Sequence, residues 1–444
     1  MAWSKLSVGF WLASGFVISG VATACSSTTD PIKAGPTTGG TPSMTTTGGS
    51  ATSGSGGAVA ASGTAAGGAS GGGMGRPPVD GKCGPSSVKR AADGLCYCQP
   101  ATLTSCSNGC GDLQTDPDRC GDCDTKCEAS QACRAGKCTA SPTVLVPAAE
   151  GCRSIKLAVA DGTLYWTDEG HGTVQSITVA GGTAKSLVTG QMAPTQIAVN
   201  GTALYWLASG AKSIMTATLA GASPTEVVKS ATDAIAAFTF SEDGKSLYFS
   251  AGRFVNKTTA APGGTVTEVG HEESGLPHAL AVAGKLIAYP ADLNGDVDIM
   301  TEVAGTPAVC ASPDSKTDTN SSCARVARSQ GGLYLDASYI VDGDAYWLNG
   351  PQVVTSPADV PDGTNDFVAT ATNPAALAGT ALTIVDKQVY FADDTGTVYH
   401  SGLMVNAVVE TLARAQKSPM SIAADANNVY WANTDCSIMS APLK

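Results

Sequence analysis

Two features of residues 143–444 predict an all-β fold. The first is an aromatic pair that returns at intervals of 40, 43, 40, 58, 44 and 40 residues, which indicates a repeat architecture. The second is a short apolar segment before each pair and another after it. Seven such units predict a seven-bladed β-propeller. The pairs are Tyr165-Trp166, Tyr205-Trp206, Tyr248-Phe249, Ala288-Tyr289, Tyr346-Trp347, Tyr390-Phe391 and Tyr430-Trp431.

Each unit repeats one order of elements. Segments such as LAVAD, IAVNG and LTIVD predict a first strand, and the aromatic pair lies in the second. A polar turn, a third strand such as VQSITV and a glycine-containing turn follow. Four strands in each unit are the composition of a propeller blade. The tight turns after the first strands are expected at Asp161, Asn200, Asp342 and Asp386.

The ends of the ring are predicted to join in the last blade. This blade begins at Ser421 and reaches Lys444 after only three strands. The segment Thr143-Val-Leu-Val-Pro147 resembles Lys185-Ser-Leu-Val-Thr189, the outer strand that precedes the second blade. We therefore expect residues 143–147 to supply the missing fourth strand.

The stretch LYWTD, residues 164–168, is similar to the repeat of YWTD and NHL-like propellers. The resemblance covers residues 143–444, and the full tetrapeptide occurs once, at Tyr165 to Asp168. It implies a ring that binds proteins or glycans. Animal receptors with this repeat have six blades, which is the alternative to seven. Some related propellers are metal-dependent lactonases or lyases, so the resemblance also implies an enzymatic alternative.

Residues 1–24 predict an export signal. One lysine, Lys5, precedes an uncharged stretch from Leu6 to Ala24. Ala22-Thr23-Ala24-Cys25 resembles the lipobox of bacterial lipoproteins, with Ala22 where that motif prefers leucine. The resemblance implies lipidation of Cys25 and attachment to the bacterial cell envelope, with the outer membrane as the expected location. An ordinary secreted protein and an uncleaved membrane anchor are the alternatives.

Two segments separate Cys25 from the propeller. Residues 25–82 are rich in Ser, Thr, Gly and Ala, and they predict a disordered tether with a root-mean-square span of roughly 40 Å. Residues 83–140 contain ten cysteines and few apolar residues, which predicts a disulfide-rich module. Its spacing resembles a cysteine-rich module of exported proteins in some Gram-negative bacteria. A zinc site at Cys120 and Cys123 is the alternative, and the connectivity is open.

Charge composition narrows the classes of partner. The chain has 38 acidic and 26 basic residues, a formal net charge of −12. This balance argues against binding to nucleic acid and to anionic lipid headgroups. Only four histidines are present, which leaves little material for histidine-based metal chemistry.

Acidic turns are the candidate chemical sites. Asp168, Glu169 and His171 follow the first aromatic pair, and they predict either an acid–base site or a tight turn. The turn is favoured, because Asp393-Asp394 and the Asn433 to Asp435 segment occupy equivalent places in the repeat. No serine or cysteine nucleophile has an identifiable base beside it, and no catalytic residue is assigned.

A calcium loop is considered at one turn of the fourth unit. Asp292, Asn294, Asp296 and Asp298 place oxygen ligands at alternate positions, which resembles the start of an EF-hand-type loop. Val297 stands where that motif needs glycine, and no glutamate follows at the twelfth position. An acidic solvated turn is therefore the favoured interpretation, with calcium as the alternative cofactor.

Four cysteines outside the module predict two disulfides. Cys310 and Cys323 flank a polar insertion that the 58-residue interval places between blades 4 and 5, and the loop they close is a candidate recognition element. Cys152 and Cys436 remain, and ring closure places both in connections at one face of one blade. We expect this second bond to join the two ends of the propeller, with Cα atoms no more than about 7 Å apart.

These features together predict a cell-envelope lipoprotein that presents a propeller on a tether. Non-catalytic binding of an envelope protein or a glycan is the favoured function. A lyase or lactonase with a metal held in the central channel by Asp, Asn or His is the competing function, and a structural spacer without a ligand is the third. Three or more such side chains converging on the axis would favour the enzyme, whereas small apolar groups there would favour binding.

Overall fold

The structure is a computed structural model. It describes residues 87–89, 96–98, 103–106, 109–272, 275–290, 297–310, 323–327, 338–358, 366–373 and 375–443. All of these belong to one structural unit of the chain. The predicted signal of residues 1–24, the lipidation site Cys25 and the tether lie outside them.

Disulfides hold the cysteine-rich module together. Among the described residues, four bonds pair Cys98 with Cys110, Cys106 with Cys123, Cys120 with Cys133, and Cys127 with Cys138. The hydrophobic cluster of the module consists of cysteines, as expected for a segment too poor in apolar residues to fold without cross-links. Its short strands are β1 (Ser87–Lys89), β2 (Cys96–Cys98), β3 (Thr104–Cys106), β4 (Gly109–Gly111), β5 (Cys133–Arg134) and β6 (Lys137–Cys138).

Seven antiparallel sheets follow, and they are the blades of a propeller. The first strand of each blade lies innermost and the fourth on its outer side. In the last blade the outermost strand is β7 (Thr143–Val146), and in blade 3 a fifth strand lies beyond the fourth. Blade 1 contains β8 (Lys156–Ala160), β9 (Thr163–Asp168), β10 (Thr173–Thr178) and β11 (Lys185–Val188). Blade 2 contains β12 (Pro194–Asn200), β13 (Ala203–Ala208), β14 (Ser213–Thr218) and β15 (Thr225–Lys229). A 3-10 turn, Ser209–Ala211, lies between β13 and β14.

The remaining blades repeat this arrangement. Blade 3 contains β16 (Ile235–Phe240), β17 (Ser246–Ala251), β18 (Phe254–Thr259) and β19 (Thr267–Glu272). Blade 4 contains β20 (Ala281–Ala283), β21 (Leu286–Pro290), β22 (Val297–Thr301) and, after β23 (Ala308–Cys310), β24 (Cys323–Ala327). Blade 5 contains β25 (Ser338–Val341), β26 (Asp344–Asn349), β27 (Gln352–Pro357) and β28 (Asp366–Thr370). Blade 6 contains β29 (Gly379–Val385), β30 (Gln388–Asp393), β31 (Val398–Gly402) and β32 (Val409–Ala413). Blade 7 contains β33 (Pro419–Ala424), β34 (Asn428–Asn433) and β35 (Ile438–Pro442). The propeller therefore has seven blades, not six.

The aromatic pairs form the contacts between blades. Successive residues of a strand point to opposite faces of its sheet, so the two members of a pair face different neighbours. The first member packs in one cluster with the second member of the following pair. Tyr165 shares a cluster with Trp206, and Tyr390 shares one with Trp431. The last pair continues round the ring, because Tyr430 packs with Trp166 of blade 1.

Blade 4 departs from this pattern in a way that preserves volume. Its pair is Ala288-Tyr289, and Ala288 shares its cluster with the fully buried Trp347 of blade 5. On the other face, Tyr289 packs with Tyr248 of blade 3. A small residue therefore stands opposite the large Trp347, as close packing of a fixed space requires.

The ring closes as the sequence predicts. Strand β7 pairs antiparallel with β35 and supplies the fourth strand of blade 7, with Val146 opposite Ile438 and Thr143 opposite Ser440. The disulfide between Cys152 and Cys436 joins the segment after β7 to the turn after β34, with the Cα atoms 6.0 Å apart. Both features connect the beginning of the propeller to its end.

The insertion in the fourth unit lies elsewhere than expected. It falls inside blade 4, between the third strand β22 and the outermost strand β24, and not between blades 4 and 5. Its first limb, β23, pairs in parallel with β19 and becomes a fifth strand of blade 3. The disulfide between Cys310 and Cys323, with Cα atoms 5.5 Å apart, therefore connects the outer edges of two blades. The tip of the insertion, residues 311–322, lies outside the described residues.

The module contacts the propeller at blades 6 and 7. Arg134 Nε lies 2.7 Å from Glu410 Oε2 on β32, and Arg134 donates from a second guanidinium nitrogen to the carbonyl oxygen of Leu443 at 2.9 Å. Behind this ion pair, His400 Nε2 lies 2.7 Å from Gln388 Oε1 and its Nδ1 lies 3.4 Å from Glu410 Oε2. Burial lowers the pKa of His400, although Glu410 opposes the shift. Burial therefore favours the neutral imidazole at this position, whereas the contact with Glu410 favours the protonated form.

Candidate functional site

The ring has two faces, and one of them carries most of the predicted site residues. We call this the loop face. It consists of the turns between second and third strands and the connections that lead into the first strand of the next blade. Backbone hydrogen bonds tie the two kinds of segment together. Gln191 N–H donates to Gly172 O at 2.9 Å, and Gln416 N–H donates to Gly396 O at 2.9 Å.

Asp168 and His171 form a contact on the loop face. His171 Nδ1 lies 2.6 Å from Asp168 Oδ2, and the His171 backbone N–H donates to Asp168 Oδ1 at 3.2 Å. The Asp168 side chain is 6% exposed, whereas that of His171 is 47% exposed. Glu169 N–H donates to the carbonyl oxygen of Arg153 at 3.0 Å, which fixes the same turn to the preceding connection. The two polar side chains therefore organise a turn, which is the favoured interpretation of this stretch.

The equivalent turn of blade 6 uses its carboxylate in the same way. Asp393 is fully buried, and its Oδ1 accepts hydrogen bonds from Thr395 N–H, Thr395 Oγ1–H and Thr397 N–H at 2.9, 2.6 and 3.1 Å. Its Oδ2 accepts the Tyr399 hydroxyl at 2.6 Å. Burial and the adjacent Asp393 raise the pKa of Tyr399 well above its usual range. Both carboxylate oxygens of this buried group accept hydrogen bonds from its own turn and from Tyr399, so Asp393 stabilises the turn.

At two places on the loop face, a glutamine side chain accepts a hydrogen bond from a buried tryptophan. The sequence analysis did not predict this contact. The indole Nε1–H of Trp206 donates to Gln191 Oε1 at 2.9 Å, and that of Trp431 donates to Gln416 Oε1 at 3.0 Å. In each case the glutamine precedes its tryptophan by 15 residues. This constant spacing between Gln and Trp in two repeats was the signal that could have identified it.

A central channel of about 540 Å³ runs along the ring axis. This volume is within the range of small-ligand sites, about 300–1,000 Å³. Six of the seven blades contribute an alanine to the walls, and blade 5 contributes Tyr339. The alanines are Ala158, Ala198, Ala237, Ala279, Ala381 and Ala423.

Part of the polar surface of the channel connects neighbouring blades. The Gln196 amide of blade 2 donates to the carbonyl oxygen of Phe238 at 2.8 Å and accepts its backbone N–H at 2.9 Å. Ser421 Oγ of blade 7 accepts the N–H of Leu157 at 3.0 Å. The Tyr339 hydroxyl of blade 5 donates to the carbonyl oxygen of Leu382 at 3.1 Å. These bonds satisfy the otherwise unpaired inner edges of first strands, as buried polar backbone requires.

At the loop-face end the channel opens to solvent, and we call this opening the mouth. Lys156, at the start of β8, and His278, in the segment before β20, line it together with Ser154 and Thr380. Within the described lining of the channel there is no Asp, Glu or Asn, and the histidine is single. The convergence of three metal-ligating side chains that would favour an enzyme is therefore not found among these residues.

Exposed apolar side chains stand on the loop face. Met192, Leu276 and Leu377 are 60%, 50% and 79% exposed. Each lies in a connection that leads into a first strand, of blades 2, 4 and 6 respectively. We call these three residues the apolar rim. They stand on the same face of the ring as the mouth, in the connections into alternate blades.

The structure tests one of the two predicted metal sites and leaves the other as a prediction. Three of the four calcium candidates, Asp292, Asn294 and Asp296, lie outside the described residues. The fourth, Asp298, is a buried residue of β22, and the calcium loop stays a prediction. The zinc alternative at Cys120 and Cys123 fails, because the sulfur atoms of both residues are in disulfides. The same applies to the close group of Cys120, Cys127 and Cys138.

No protein-family model matches the sequence, and no curated protein matches it either. Solved structures share the fold at low sequence identity. A streptogramin B lyase has a TM-score of 0.51 at 14% identity, covering 67% of this chain and 95% of its own. A catalytically inactive virginiamycin B lyase from Staphylococcus aureus with quinupristin has a TM-score of 0.51 at 13% identity, covering 68% and 98%. The WD40 domain of Pan2 from Neurospora crassa has a TM-score of 0.51 at 12% identity, covering 68% and 95%.

These likenesses define the class of protein. The described part of the chain consists of a disulfide-rich module followed by a seven-bladed β-propeller. At sequence identities this low, the similar structures show the fold alone. Within the part of the chain that the structure describes, no helix has the length and apolar character needed to cross a bilayer.

Proposed function

We propose that this protein is a lipid-anchored binding platform of the bacterial cell envelope. Cys25 carries the anchor at the outer membrane, the tether lifts the propeller from the surface, and the loop face binds an envelope protein or a glycan without catalysis. The lipobox-like sequence before Cys25 supports lipidation of this residue. Lipoproteins carry several acyl chains, and this makes the attachment stable because a single chain binds a membrane only marginally.

The observation that carries the binding function is the mouth with its apolar rim. The walls beneath are alanine-rich, and the carboxylate of Asp393 is buried and hydrogen-bonded within its own turn. What the loop face offers a ligand is the shape of the mouth and exposed apolar area at Met192, Leu276 and Leu377. Apolar anchors surrounded by polar groups supply most of the affinity of protein interfaces.

Covalent closure of the ring supports the same function. The disulfide between Cys152 and Cys436 lies on the loop face and holds the first and last segments of the propeller together. A pre-organised surface loses little conformational freedom on binding, so more of the contact energy appears as affinity. Such rigidity suits a protein that acts outside the cell.

A comparison of surface variants tests this proposal. The full chain with a C-terminal tag, expressed in its source cells, is used to capture partners from the solubilised envelope. The double variant Met192→Glu/Leu377→Glu is expected to lose at least about nine-tenths of the captured material, because removing two anchors costs more than about 1 kcal/mol each.

The matched control lies on the opposite face. Met404 and Val408, which are 73% and 79% exposed, flank the turn between the third and fourth strands of blade 6. The variant Met404→Glu/Val408→Glu carries the same added charge and is expected to capture as much as the unmodified chain. Equal capture by both variants, or a loss confined to the control, would place the binding surface elsewhere and refute the proposal.

A further inference from the structure

We propose that the contact between the module and the propeller is a pH-sensitive latch, in which protonation of His400 releases the module from blade 6. The latch consists of Arg134 on β5, Glu410 on β32 and His400 on β31. This inference goes beyond the proposed function, because it concerns how the ring is held by the chain that precedes it. It needs no ligand at the loop face.

The module meets the propeller at the outer strand of blade 6 and the end of blade 7. Arg134 contacts Glu410 of blade 6 and donates to the carbonyl oxygen of Leu443 after the last strand. A further bond lies at the other end of β32, where Arg414 N–H donates to Ser130 O at 3.3 Å. These contacts are polar, and units of a chain that meet through polar contacts separate more readily than units that share an apolar core.

Hydrogen bonds define which nitrogen of the neutral His400 ring carries the proton. Gln388 Nε2 donates to the carbonyl oxygen of Lys387 at 3.1 Å, so its Oε1 is the atom that faces His400 Nε2 at 2.7 Å. An amide oxygen only accepts, and His400 Nε2 is therefore the donor. Nδ1 of the neutral ring then has no proton, and it faces Glu410 Oε2 at 3.4 Å. Two acceptors that face each other form no hydrogen bond.

A second proton on His400 changes what Glu410 binds. It gives Nδ1 an N–H group that donates to Glu410 Oε2, the same oxygen that lies 2.7 Å from Arg134 Nε. Two cations then share one carboxylate oxygen, and they repel each other at a site that is only partly open to solvent. The repulsion ends when the module leaves with Arg134, so acid favours the released state.

The pKa of His400 gives the pH range in which the latch opens. Burial lowers this pKa, Glu410 raises it again, and Arg134 lowers it further. Release of the module removes the guanidinium of Arg134, so the pKa of His400 is higher in the released state. A histidine whose pKa is depressed in the docked state stabilises docking above its usual pKa of about 6.5, and this stabilisation is lost as the pH falls below that value.

Tyr390 on β30 is the other titratable side chain against His400 among the described residues. Its ring stacks on the imidazole with centroids 5.1 Å apart. Burial and the charge of Asp386 raise the pKa of Tyr390 to about 12, and Asp425 acts in the same direction. The phenol is therefore neutral wherever the histidine titrates, and the pH response belongs to His400.

Hydrogen exchange of the full chain, with its disulfides formed, tests the latch at about pH 7.5 and about pH 5.5, on either side of the usual histidine pKa. Each rate is corrected for the pH dependence of an unprotected amide, and β15 of blade 2 serves as the reference. The Arg414 amide, which bonds to the module, is expected to exchange about threefold or more faster at the lower pH. His400→Gln removes the titrating group and is expected to abolish this difference.

His271 supplies the matched control in blade 3. Its Nδ1 lies 2.8 Å from Glu268 Oε1, and its side chain is 25% exposed against 19% for His400. His271→Gln is expected to keep the full response of the Arg414 amide. Melting curves of both variants establish that the ring is folded.

Histidine NMR gives a second readout, which a merely structural role of His400 would not move. The chain has four histidines, so the signal of His400 is assigned as the one that His400→Gln lacks. Arg134→Gln is expected to raise the pKa of His400. Equal exchange of the Arg414 amide at both pH values, a pH response that persists in His400→Gln, or a pKa that does not rise in Arg134→Gln would overturn the latch. Partner capture by the loop face is independent of all these results.

Discussion

Removing the disulfide between Cys152 and Cys436 is expected to lower the free energy of unfolding by up to about 5 kcal/mol. The bond links residues separated by 284 positions, so its loss releases a very long loop in the unfolded chain. The chain-entropy contribution of a cross-link increases with the length of the loop that it closes. We expect Cys152→Ala/Cys436→Ala to show this loss in equilibrium guanidinium unfolding, and to retain seven blades by circular dichroism.

The second disulfide of the propeller supplies the control. Cys310 and Cys323 are separated by 13 positions, and Cys310→Ala/Cys323→Ala is expected to lose only about 3 kcal/mol. A larger loss from this pair than from Cys152 and Cys436 would contradict the view that joining the ends of the ring is the principal role of the longer cross-link. It would show instead that the contact between blades 3 and 4 is the weaker part of the ring.

Replacing Trp206 with alanine is expected to cost about 3–5 kcal/mol of stability. The side chain is fully buried between blades 1 and 2, in one cluster with Tyr165 and Val174, and its removal leaves a cavity that rigid sheets cannot fill. The same substitution removes the donor that holds Gln191 Oε1, so the loop face near Met192 loses a support. Thermal and denaturant unfolding measure the first effect.

A smaller change at the same contact separates packing from hydrogen bonding. Gln191→Ala keeps the tryptophan but leaves its indole N–H without this acceptor, at an expected cost of about 1–3 kcal/mol. If Gln191→Ala destabilises the protein as much as Trp206→Ala, the contact between blades is governed by the hydrogen bond. The cluster around Trp206 would then not be the main source of cohesion.

The repeat of aromatic pairs was sufficient to predict the number of blades, and the structure gives the physical reason. A pair of adjacent residues in a strand reaches both faces of a sheet, so each pair belongs to two contacts at once. Tyr430 and Trp166 show this across the closure of the ring, where the last blade meets the first. Similar four-stranded blades give intervals of about 40 residues, and five of the six intervals lie between 40 and 44.

Contacts between segments that are far apart in the sequence and belong to no repeat were harder to predict. The pairing of β23 with blade 3 could not be inferred, because three residues in a polar insertion carry no periodicity of their own. The mouth was also invisible, since Lys156 and His278 are more than a hundred residues apart and neither belongs to a motif. The Asp168 to His171 stretch, in contrast, is conspicuous in the sequence but has a structural role. Its composition suggests catalysis, whereas its geometry is that of a turn.

The two faces of the ring carry different residues and features. Through Arg134, the module contacts Glu410 of blade 6 and Leu443 at the end of blade 7. The turns of Asp161, Asp342 and Asp386 lie at the end of the channel opposite the mouth. The exposed apolar rim, the mouth of the channel and the disulfide between Cys152 and Cys436 all belong to the loop face. A binding surface at this face uses all three features.

Site-specific photo-cross-linking tests the location of the binding surface most directly. Benzoylphenylalanine is introduced at Leu377 on the rim or, in a separate variant, at Met404 on the turn of blade 6, and both positions are highly exposed. Each full-length variant is expressed in its source cells and irradiated in the intact envelope. Binding through the loop face predicts a discrete cross-linked product from position 377 and none from position 404. Equal products from the two positions, or a product from position 404 alone, would contradict it.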